Sequence, residues 1–205
     1  MAHLYVVGAG GHAKVVADAA LLMGLWDQIT LIDRCTEAYQ VGPWAVVPEP
    51  DDLNDLKVQG TDFIVGMGDN ALRVMLQKRF AAQGFHAVTV IHPTSVVSHH
   101  TKVAEGCFIA AQAVVQIDAK LGAGCIVNTA AVVEHDCVLQ EGVQLAPGAI
   151  LGGGVSVGGA TLIGLQASVR MGCRLGRDVI VGMGAAVVKN IPDHSRVVGV
   201  PAKPL

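Results

Sequence analysis

Aliphatic residues recur at every sixth position through the second half of the chain. From Ile91 to Val187, each sixth residue is Ile, Leu or Val, which gives seventeen consecutive matches. The residue four positions after each of these aliphatics is small or β-branched. A period of six fits neither the 3.6-residue period of a helix nor the uninterrupted alternation of a long strand. The pattern therefore predicts short strands separated by corners.

Three such segments close one triangular coil of eighteen residues, so the repeat predicts a prism of about five and a half coils of parallel β-helix. No insertion interrupts the count between residues 91 and 187, and every coil is therefore expected to be regular. Four of the five cysteines fall at the second inward position and are predicted to be reduced core thiols: Cys107, Cys125, Cys137 and Cys173. Cys35 lies outside the repeat, and no CxxC pair is present.

The pattern before residue 90 is that of a βαβ unit. Strands are predicted over residues 4–7, 29–32, 62–65 and 87–91, with one amphipathic helix ending near residue 23 and another over residues 71–82. Alternating strands and helices predict half of a doubly wound sheet. We therefore divide the chain into an α/β half-Rossmann domain, residues 1–88, and an all-β parallel β-helix with a C-terminal tail, residues 89–205.

Two glycine-rich turns follow predicted strands and are expected to share the carboxyl edge of the sheet. The first is residues 8–13, Gly-Ala-Gly-Gly-His-Ala, with Asp33 about twenty residues further on; the second is residues 66–70, Gly-Met-Gly-Asp-Asn. Such turns let the backbone approach a phosphate at a helix N-terminus. Either turn by itself could be a glycine-rich turn that binds no ligand. Two such turns at one edge of the sheet favour a bound nucleotide. With fewer than ninety residues in this region, a nucleotide sugar fits better than a dinucleotide.

Composition narrows the classes of function. The chain is 52% hydrophobic but only 4% aromatic, with 25 glycines, which suits narrow stacked coils. A net charge of −3 without charged runs provides no basic field, so no nucleic-acid partner is expected. The first eight residues carry no basic region and an apolar run of four. Neither a signal peptide nor a membrane span is predicted, and a cytoplasmic protein without a membrane partner is expected.

Four segments carry a resemblance to a known family: residues 8–14 (GAGGHAK), 128–137 (NTAAVVEHDC), 145–149 (LAPGA) and 199–203 (GVPAK). Together with the repeat, they make essentially the whole chain similar to the hexapeptide-repeat sugar O- and N-acetyltransferases. This family includes sialic acid O-acetyltransferases and bacterial enzymes that acetylate nucleotide-linked amino sugars. The resemblance implies a left-handed coil, acetyl-CoA as co-substrate and no metal. One chain cannot cover all of its coil faces, and the acetyl-CoA cleft that the resemblance implies needs a neighbouring subunit. We therefore expect a homotrimer with active sites between subunits.

The resemblance also implies roles for individual residues. The nucleotide sugar would be bound by Gly8, Gly10, Gly11, His12, Asp33 and Arg34, together with Gly68 and Asn70 of the second turn. Acetyl-CoA would contact Gly153, Gly164, Leu165 and Gly182, with the Gly153 N–H donating to the thioester oxygen. His135 would be the general base, with Asp136 beside it. Gln144 is expected to bind the substrate; it stands where related enzymes can carry a second histidine, and glutamine cannot take up a proton near neutral pH.

The chemistry explains why a histidine suits the base. An amine or hydroxyl must lose a proton as it attacks a thioester, and imidazole titrates in the required range. His135 lies between the inward Val133 and Cys137, so its ring is predicted to point away from the prism. Side chains alternate along a straight strand, so Asp136 reaches the ring only if the corner breaks that alternation, and Glu134 is an alternative partner.

Two other functions stay open at this point. A hexapeptide-repeat carbonic anhydrase would hold zinc with three histidines; His99 and His135 are two coils apart, and Glu141 could be a third ligand. A non-enzymatic nucleotide-binding scaffold would use the prism only to trimerise. The sequence does not decide between an amine and a hydroxyl acceptor, nor does it identify the nucleotide or the sugar.

Overall fold

The N-terminal region is a six-stranded sheet. The computed structural model of the chain describes residues 2–50, 53–56 and 61–205. The sheet strands are β1 (His3–Val7), β2 (Gln28–Asp33), β3 (Tyr39–Val41), β4 (Trp44–Pro48), β5 (Thr61–Val65) and β6 (His86–Ala87). Their order is β3-β4-β2-β1-β5-β6, and every neighbouring pair is parallel except β3–β4. The strands predicted over residues 4–7, 29–32 and 62–65 are thus present, whereas the β3–β4 hairpin was not predicted.

Two helices cover opposite faces of this sheet: α1 (Gly11–Met23) and α2 (Asn70–Ala82), with a 3-10 turn at Leu53–Leu56. Alternation along β1 explains the two layers, because Leu4 and Val6 pack in the cluster that contains α1 whereas Tyr5 and Val7 pack in the cluster that contains Phe80 of α2. The central strand is therefore buried on both sides from Leu4 to Val7, as expected for a parallel sheet covered on both faces.

The rest of the chain is a three-faced parallel β-solenoid. Face 1 contains β7 (Val90–Ile91), β10 (Phe108–Ile109), β13 (Ile126–Val127), β16 (Gln144–Leu145), β19 (Leu162–Ile163), β22 (Ile180–Val181), β24 (Arg196–Val198) and β25 (Lys203–Pro204). Face 2 contains β8 (Val96–Val97), β11 (Val114–Val115), β14 (Val132–Val133), β17 (Ile150–Leu151), β20 (Ser168–Val169) and β23 (Ala186–Val187). Face 3 contains β9 (Lys102–Val103), β12 (Lys120–Leu121), β15 (Val138–Leu139), β18 (Ser156–Val157) and β21 (Arg174–Leu175).

From β7 to β23, each strand pairs with the strand eighteen residues away, as in Ile109 with Val127 and Val115 with Val133. The last coil is shorter, because Ile180 pairs with Arg196. The predicted regular coil of eighteen residues is thereby confirmed. The inward aliphatics form one continuous core, in which only the first three, Ile91, Val97 and Val103, are partly exposed. The four cysteines of the repeat are buried and free, as predicted.

One predicted strand needs correction. Residues 87–91 do not form a single strand, because the chain changes partners within this segment. The Val88 N–H still bonds to Phe63 of the first sheet, whereas the Val90 N–H bonds to Cys107 of the solenoid. The apolar pattern is continuous across residues 87–91 because the first sheet and the solenoid both bury the strand that they pair with. The pattern alone therefore could not locate the residue at which the chain passes from one sheet to the other.

The three edges of the prism have different surroundings. The first edge joins faces 1 and 2 and includes residues 128–131, 146–149, 164–167 and 182–185. The second edge joins faces 2 and 3 and includes residues 116–119, 134–137, 152–155 and 170–173. The third edge joins faces 3 and 1 and includes residues 104–107, 122–125, 140–143 and 158–161. The N-terminal region packs on face 1 through Phe108 and Ile126, and α2 packs on the third edge through Arg73.

Across the described ranges, no helix has both the length and the apolar character needed to cross a membrane.

Candidate active site

His135 and Asp136 form a hydrogen-bonded pair on the second edge. Nδ1 of His135 lies 2.8 Å from Oδ2 of Asp136, and both side chains are more than half exposed. Asp136 has φ 60°, in the left-handed region, so the corner breaks the alternation that would separate adjacent side chains. The ring therefore points away from the prism, and Asp136 rather than Glu134 supplies its partner.

This contact determines which ring nitrogen is free. A carboxylate only accepts hydrogen bonds, so Nδ1 carries the proton and Nε2 has a free lone pair. The hydrogen bond from the ring to Asp136 raises the pKa of His135 above its usual value, against a smaller lowering by burial. The ring is thereby a stronger base than a free histidine.

Gly153 makes room for the imidazole. It occupies the corner position one coil after His135, and a Cβ added to it would lie 2.5 Å from Nε2 and 2.6 Å from Cε1 of the ring. The ring therefore lies over the Gly153 backbone, where any other residue would displace it. In the described part of the chain the Gly153 N–H has no backbone acceptor, whereas the next N–H, of Gly154, bonds to His135 O. An unpaired N–H is thus available beside the basic nitrogen.

The glycine-rich turns lie at the carboxyl edge of the first sheet, as predicted. Gly8 N–H bonds to Ile32 O and Gly66 N–H bonds to Val7 O, which joins the ends of β2, β1 and β5. Gly10, Gly11 and Gly68 have ordinary φ values and open space where a Cβ would lie. Neither packing nor backbone conformation requires glycine at these three positions, so close approach of a ligand is the remaining physical reason.

His12 lies at the start of α1, against the prism. Its ring makes an edge-to-face contact with Phe108 at 5.4 Å between centroids, and its buried Nε2 has no hydrogen-bond partner in the described residues. Burial, and to a lesser extent the nearby Arg73 guanidinium, lower the pKa of His12 to about 4. The ring is neutral at physiological pH, and its free nitrogen is an acceptor or a donor for a ligand at this edge.

A small cleft adjoins the end of β2. It has a volume of about 90 Å³ and is lined by Asp33 and Arg34, both predicted to bind the nucleotide, and by Glu49. Glu49 is ion-paired with Arg34 at 3.7 Å and with Arg79. Glu49 and the apolar floor formed by Leu72 and Leu76 were not predicted, because β4 and α2 meet here only through the fold.

The predicted site residues of the second turn and of face 1 have different surroundings. Gly68 is open, but both ends of the Asn70 amide are engaged, since Nδ2 donates to Ala160 O and Oδ1 accepts from Arg73. Gln144 lies on the outer side of face 1, between the strands of Ile126 and Leu162. Gln144 is therefore on the side of the N-terminal region and not beside His135.

The residues predicted to contact acetyl-CoA are divided between two edges. Gly153 lies on the second edge with His135. Leu165 lines an open groove of about 610 Å³ on the first edge, together with Pro147, Gln166 and Met183. Gly164 and Gly182 immediately precede Leu165 and Met183 on that edge. Within one chain, the structure therefore does not bring the histidine, the groove and the glycine-rich turns together.

The arrangement also bears on the zinc alternative. Glu141 lies on the third edge, where it pairs with Lys78 at 2.8 Å, whereas His99 and His135 share the second edge. Among residues 2–50, 53–56 and 61–205, no group of three His, Cys, Asp or Glu side chains is arranged to hold a metal ion. The three candidate ligands considered from sequence are thus not gathered in one chain.

Comparison with known proteins identifies close structural relatives. The acetyltransferase domain of PglB from Neisseria gonorrhoeae, in complex with acetyl coenzyme A, is 40% identical, with 99% of this chain and 98% of that chain covered and a TM-score of 0.96. A variant of perosamine N-acetyltransferase from Caulobacter crescentus, in complex with CoA and GDP-perosamine, is 36% identical, with 100% and 97% covered and a TM-score of 0.95.

Comparison at the level of sequence identifies the same kind of relatives. Residues 3–80 match the family model of the PglD N-terminal domain. UDP-N-acetylbacillosamine N-acetyltransferase of Bacillus subtilis is 36% identical over 118 residues, which cover 54% of this chain and 52% of the relative. The matched part of the chain thus spans about half the length of the curated relatives. The chain belongs to the family of hexapeptide-repeat acetyltransferases that act on nucleotide-linked sugars.

Proposed function

We propose that this protein transfers the acetyl group of acetyl-CoA to an amine on a nucleotide-linked sugar, with His135 as the general base. The observation that carries the proposal is the His135–Asp136 pair, exposed on the second edge with its free nitrogen above the glycine of the next coil. Three glycines at the carboxyl edge of the first sheet, Gly10, Gly11 and Gly68, have open space where a Cβ would lie, which supports a nucleotide as the other end of the acceptor.

Each residue of the pair has a defined part in the reaction. Asp136 holds the Nδ1 proton, so Nε2 of His135 removes a proton from the acceptor as it attacks the thioester carbonyl. The free N–H of Gly153 donates to the oxygen that becomes negatively charged in the tetrahedral intermediate. His135 then has a proton to give up as the intermediate collapses to an amide and the CoA thiol.

An amine is the preferred acceptor. The relatives whose names specify the reaction are N-acetyltransferases, and their named substrates are UDP- and GDP-linked sugars. An amine is protonated near neutral pH and must lose a proton before or during attack, which suits a histidine whose pKa is raised. Gln144 on face 1 lies toward the N-terminal region, which suits hydrogen bonding to the sugar rather than proton transfer.

A homotrimer would unite the separated parts. The outer side of face 2 is uncharged and, apart from Ser168, apolar, with Val96 and Ile150 among its exposed residues. Face 3, in contrast, carries Lys102, Lys120 and Arg174. If face 2 of each of three copies faces a common three-fold axis, the second edge of one copy lies against the first edge of the next. His135 of one copy then faces the groove, and the nucleotide-binding turns, of another.

The charge distribution supports an orientation for acetyl-CoA in that groove. Residues 170–205 contain six Lys or Arg and two Asp, in a chain whose net charge is −3. Lys189 lies in the corner column of His135, three coils further on, which is about 14 Å at the usual spacing between strands. We propose that the thioester lies at His135 and that the phosphates of CoA lie toward Lys189 and Arg170.

The test is turnover with a matched panel of acceptors. Uridine- and guanosine-linked amino sugars and their hydroxyl counterparts would be offered with acetyl-CoA, with thiol release measured and the product identified by mass spectrometry. We expect thiol release with at least one amino sugar and none with its hydroxyl counterpart. Transfer to the hydroxyl alone would correct the acceptor class, and nucleotide binding without thiol release would favour the scaffold function. Light scattering that gives the mass of a monomer, with activity intact, would contradict the shared site.

A further inference from the structure

Helix α2 follows the third edge of the prism coil by coil. Asn70 Nδ2 donates to Ala160 O, Arg73 donates to Gly142 O and Gly124 O, and Gln77 Nε2 donates to Glu105 O. These acceptors lie on four successive coils. The match is geometric, since the helix rises about 5.4 Å per turn and the coils are about 4.8 Å apart.

The corners under α2 are shaped for the helix. A Cβ added to Gly124 would lie 2.8 Å from Oε1 of Gln77, and one added to Gly142 would lie 2.5 Å from Cγ2 of Val74. Gly106, one coil earlier, would collide with the Gln77 side chain in the same way. The third edge therefore approaches the helix more closely than side chains at these corners would permit.

Arg73 differs from its neighbours on the helix because it also contacts the second glycine-rich turn. Nε and one terminal nitrogen bond to the prism, and the other terminal nitrogen donates to Met67 O of the turn at 2.9 Å. Arg73 is 1% exposed, and no ion pair joins it to a carboxylate in the part of the chain that the structure describes. Burying an unpaired guanidinium is unfavourable, so the stability of the fold does not by itself account for its presence.

We propose that Arg73 is a positioning residue that fixes the second glycine-rich turn, and with it the acceptor end of the site, relative to the prism. The guanidinium is suited to this task because its planar fork can bond to the turn and to two coils at once. A flexible attachment would leave nucleotide binding intact but would spread the position of the sugar, and misplacement of a reacting group by about 1 Å can cost 10²-fold in rate. This inference rests on the proposed function.

The test compares two substitutions one helical turn apart in the full-length protein. Arg73→Met removes the contacts to both the turn and the prism. Gln77→Leu is the matched control, because it removes a buried contact to the prism from the same helix and leaves the turn untouched. We expect Arg73→Met to lower kcat at least tenfold with KM for acetyl-CoA within twofold of wild type. For Gln77→Leu, kcat should stay within twofold.

Two further measurements keep the inference testable. Arg73→Lys keeps the charge but not the fork, so we expect it to restore less than a third of the lost kcat. Hydrogen exchange at the amides of residues 66–69 should be at least ten times faster in Arg73→Met than in wild type and unchanged in Gln77→Leu, whether or not acetyl transfer is detected. Equal effects of Arg73→Met and Gln77→Leu on kcat and on exchange would overturn the proposal. A wild-type protein without turnover would instead contradict the proposed function, and the exchange data would still decide the role of Arg73.

Discussion

Two histidines of this chain occupy glycine-rich surroundings and have opposite properties. His12, at the turn after β1, is largely buried against Phe108, and its pKa is lowered to about 4. His135, at a corner of the prism, is 59% exposed, and its pKa is raised by the hydrogen bond to Asp136. One ring is kept neutral by burial, whereas the other is made more basic by a carboxylate.

The two regions differ in the groups that surround each histidine ring. In the N-terminal region the described residues supply no hydrogen-bond partner for Nε2 of His12. On the proposed function, a ligand would supply that partner. In the prism the protein supplies both a carboxylate and a glycine that admits the ring, so the side chain is oriented before any substrate arrives. On the proposed function, substrate binding and proton transfer would therefore lie in different parts of the fold.

The strongest test of this division is His135→Ala. General-base catalysis contributes about 10²–10⁴ to a rate, so we expect kcat to fall by that factor, with little change in the affinity for acetyl-CoA. The melting temperature should stay near that of wild type because the ring is exposed. Steady-state kinetics and calorimetry with acetyl-CoA are the measurements.

Val133→Ala is the control for that variant. Val133 is fully buried in the prism, so truncation should destabilise the protein by about 1–3 kcal/mol through a cavity and affect kcat less. A His135→Ala protein that keeps more than about a third of wild-type turnover would be inconsistent with general-base catalysis.

Gly153→Ala should have the next largest effect. The added Cβ would displace the His135 imidazole from its place over the backbone. We expect kcat to fall about 10- to 10²-fold, because the base is kept but its position is changed. Gly159→Ala is the matched control, at the same corner position on the third edge, where the added Cβ would meet Glu141 O at 3.3 Å. Equal kcat values for the two variants would show that the ring does not depend on this glycine.

The sequence predicts the repeat and the separate residues better than their juxtaposition. The six-residue period specifies the prism, its inward residues and the outward direction of His135, because periodicity is a local property. The hand of the coil stays a prediction from the resemblance. The contact between His135 and Gly153 joins residues eighteen positions apart, and a histidine with glycine one coil later was a signal that the repeat count could have provided.

Other features depend on packing between regions. Glycines at residues 106, 124 and 142 occupy one corner column on the third edge, but glycines also occur at this corner position on the other edges, at residues 148, 154, 172 and 184. The spacing of glycines alone therefore does not identify the corners that α2 covers. The structural role of Arg73 required α2 to be placed against the prism, and that of Glu49 required β4 to be placed beside α2, neither of which a local pattern states. The sequence also predicts a site shared between copies, and this stays a prediction. Its physical argument is that His135 on the second edge lies away from the N-terminal region on face 1, so one chain alone does not bring the two together.

The smallest effect expected at neutral pH concerns His12 and appears only in acid. The folded pKa is about 4 and the unfolded value is 6.5, so the unfolded chain binds the proton first as pH falls. This residue therefore costs no stability above about pH 7, and by pH 5 it lowers the free energy of unfolding by about 2 kcal/mol. His12→Gln should remove that part of the acid sensitivity.

For His135 the sign is opposite: a raised pKa stabilises the folded state at low pH, and that contribution is lost as pH rises through the folded pKa. Denaturant midpoints of wild type, His12→Gln and His135→Ala between pH 7.5 and 5 would measure both slopes, with ring-proton titrations by NMR as a direct check. Parallel slopes for wild type and His12→Gln, or a His12 titration near 6.5, would mean that the ring is open to water and that the contrast between the two regions is not one of burial.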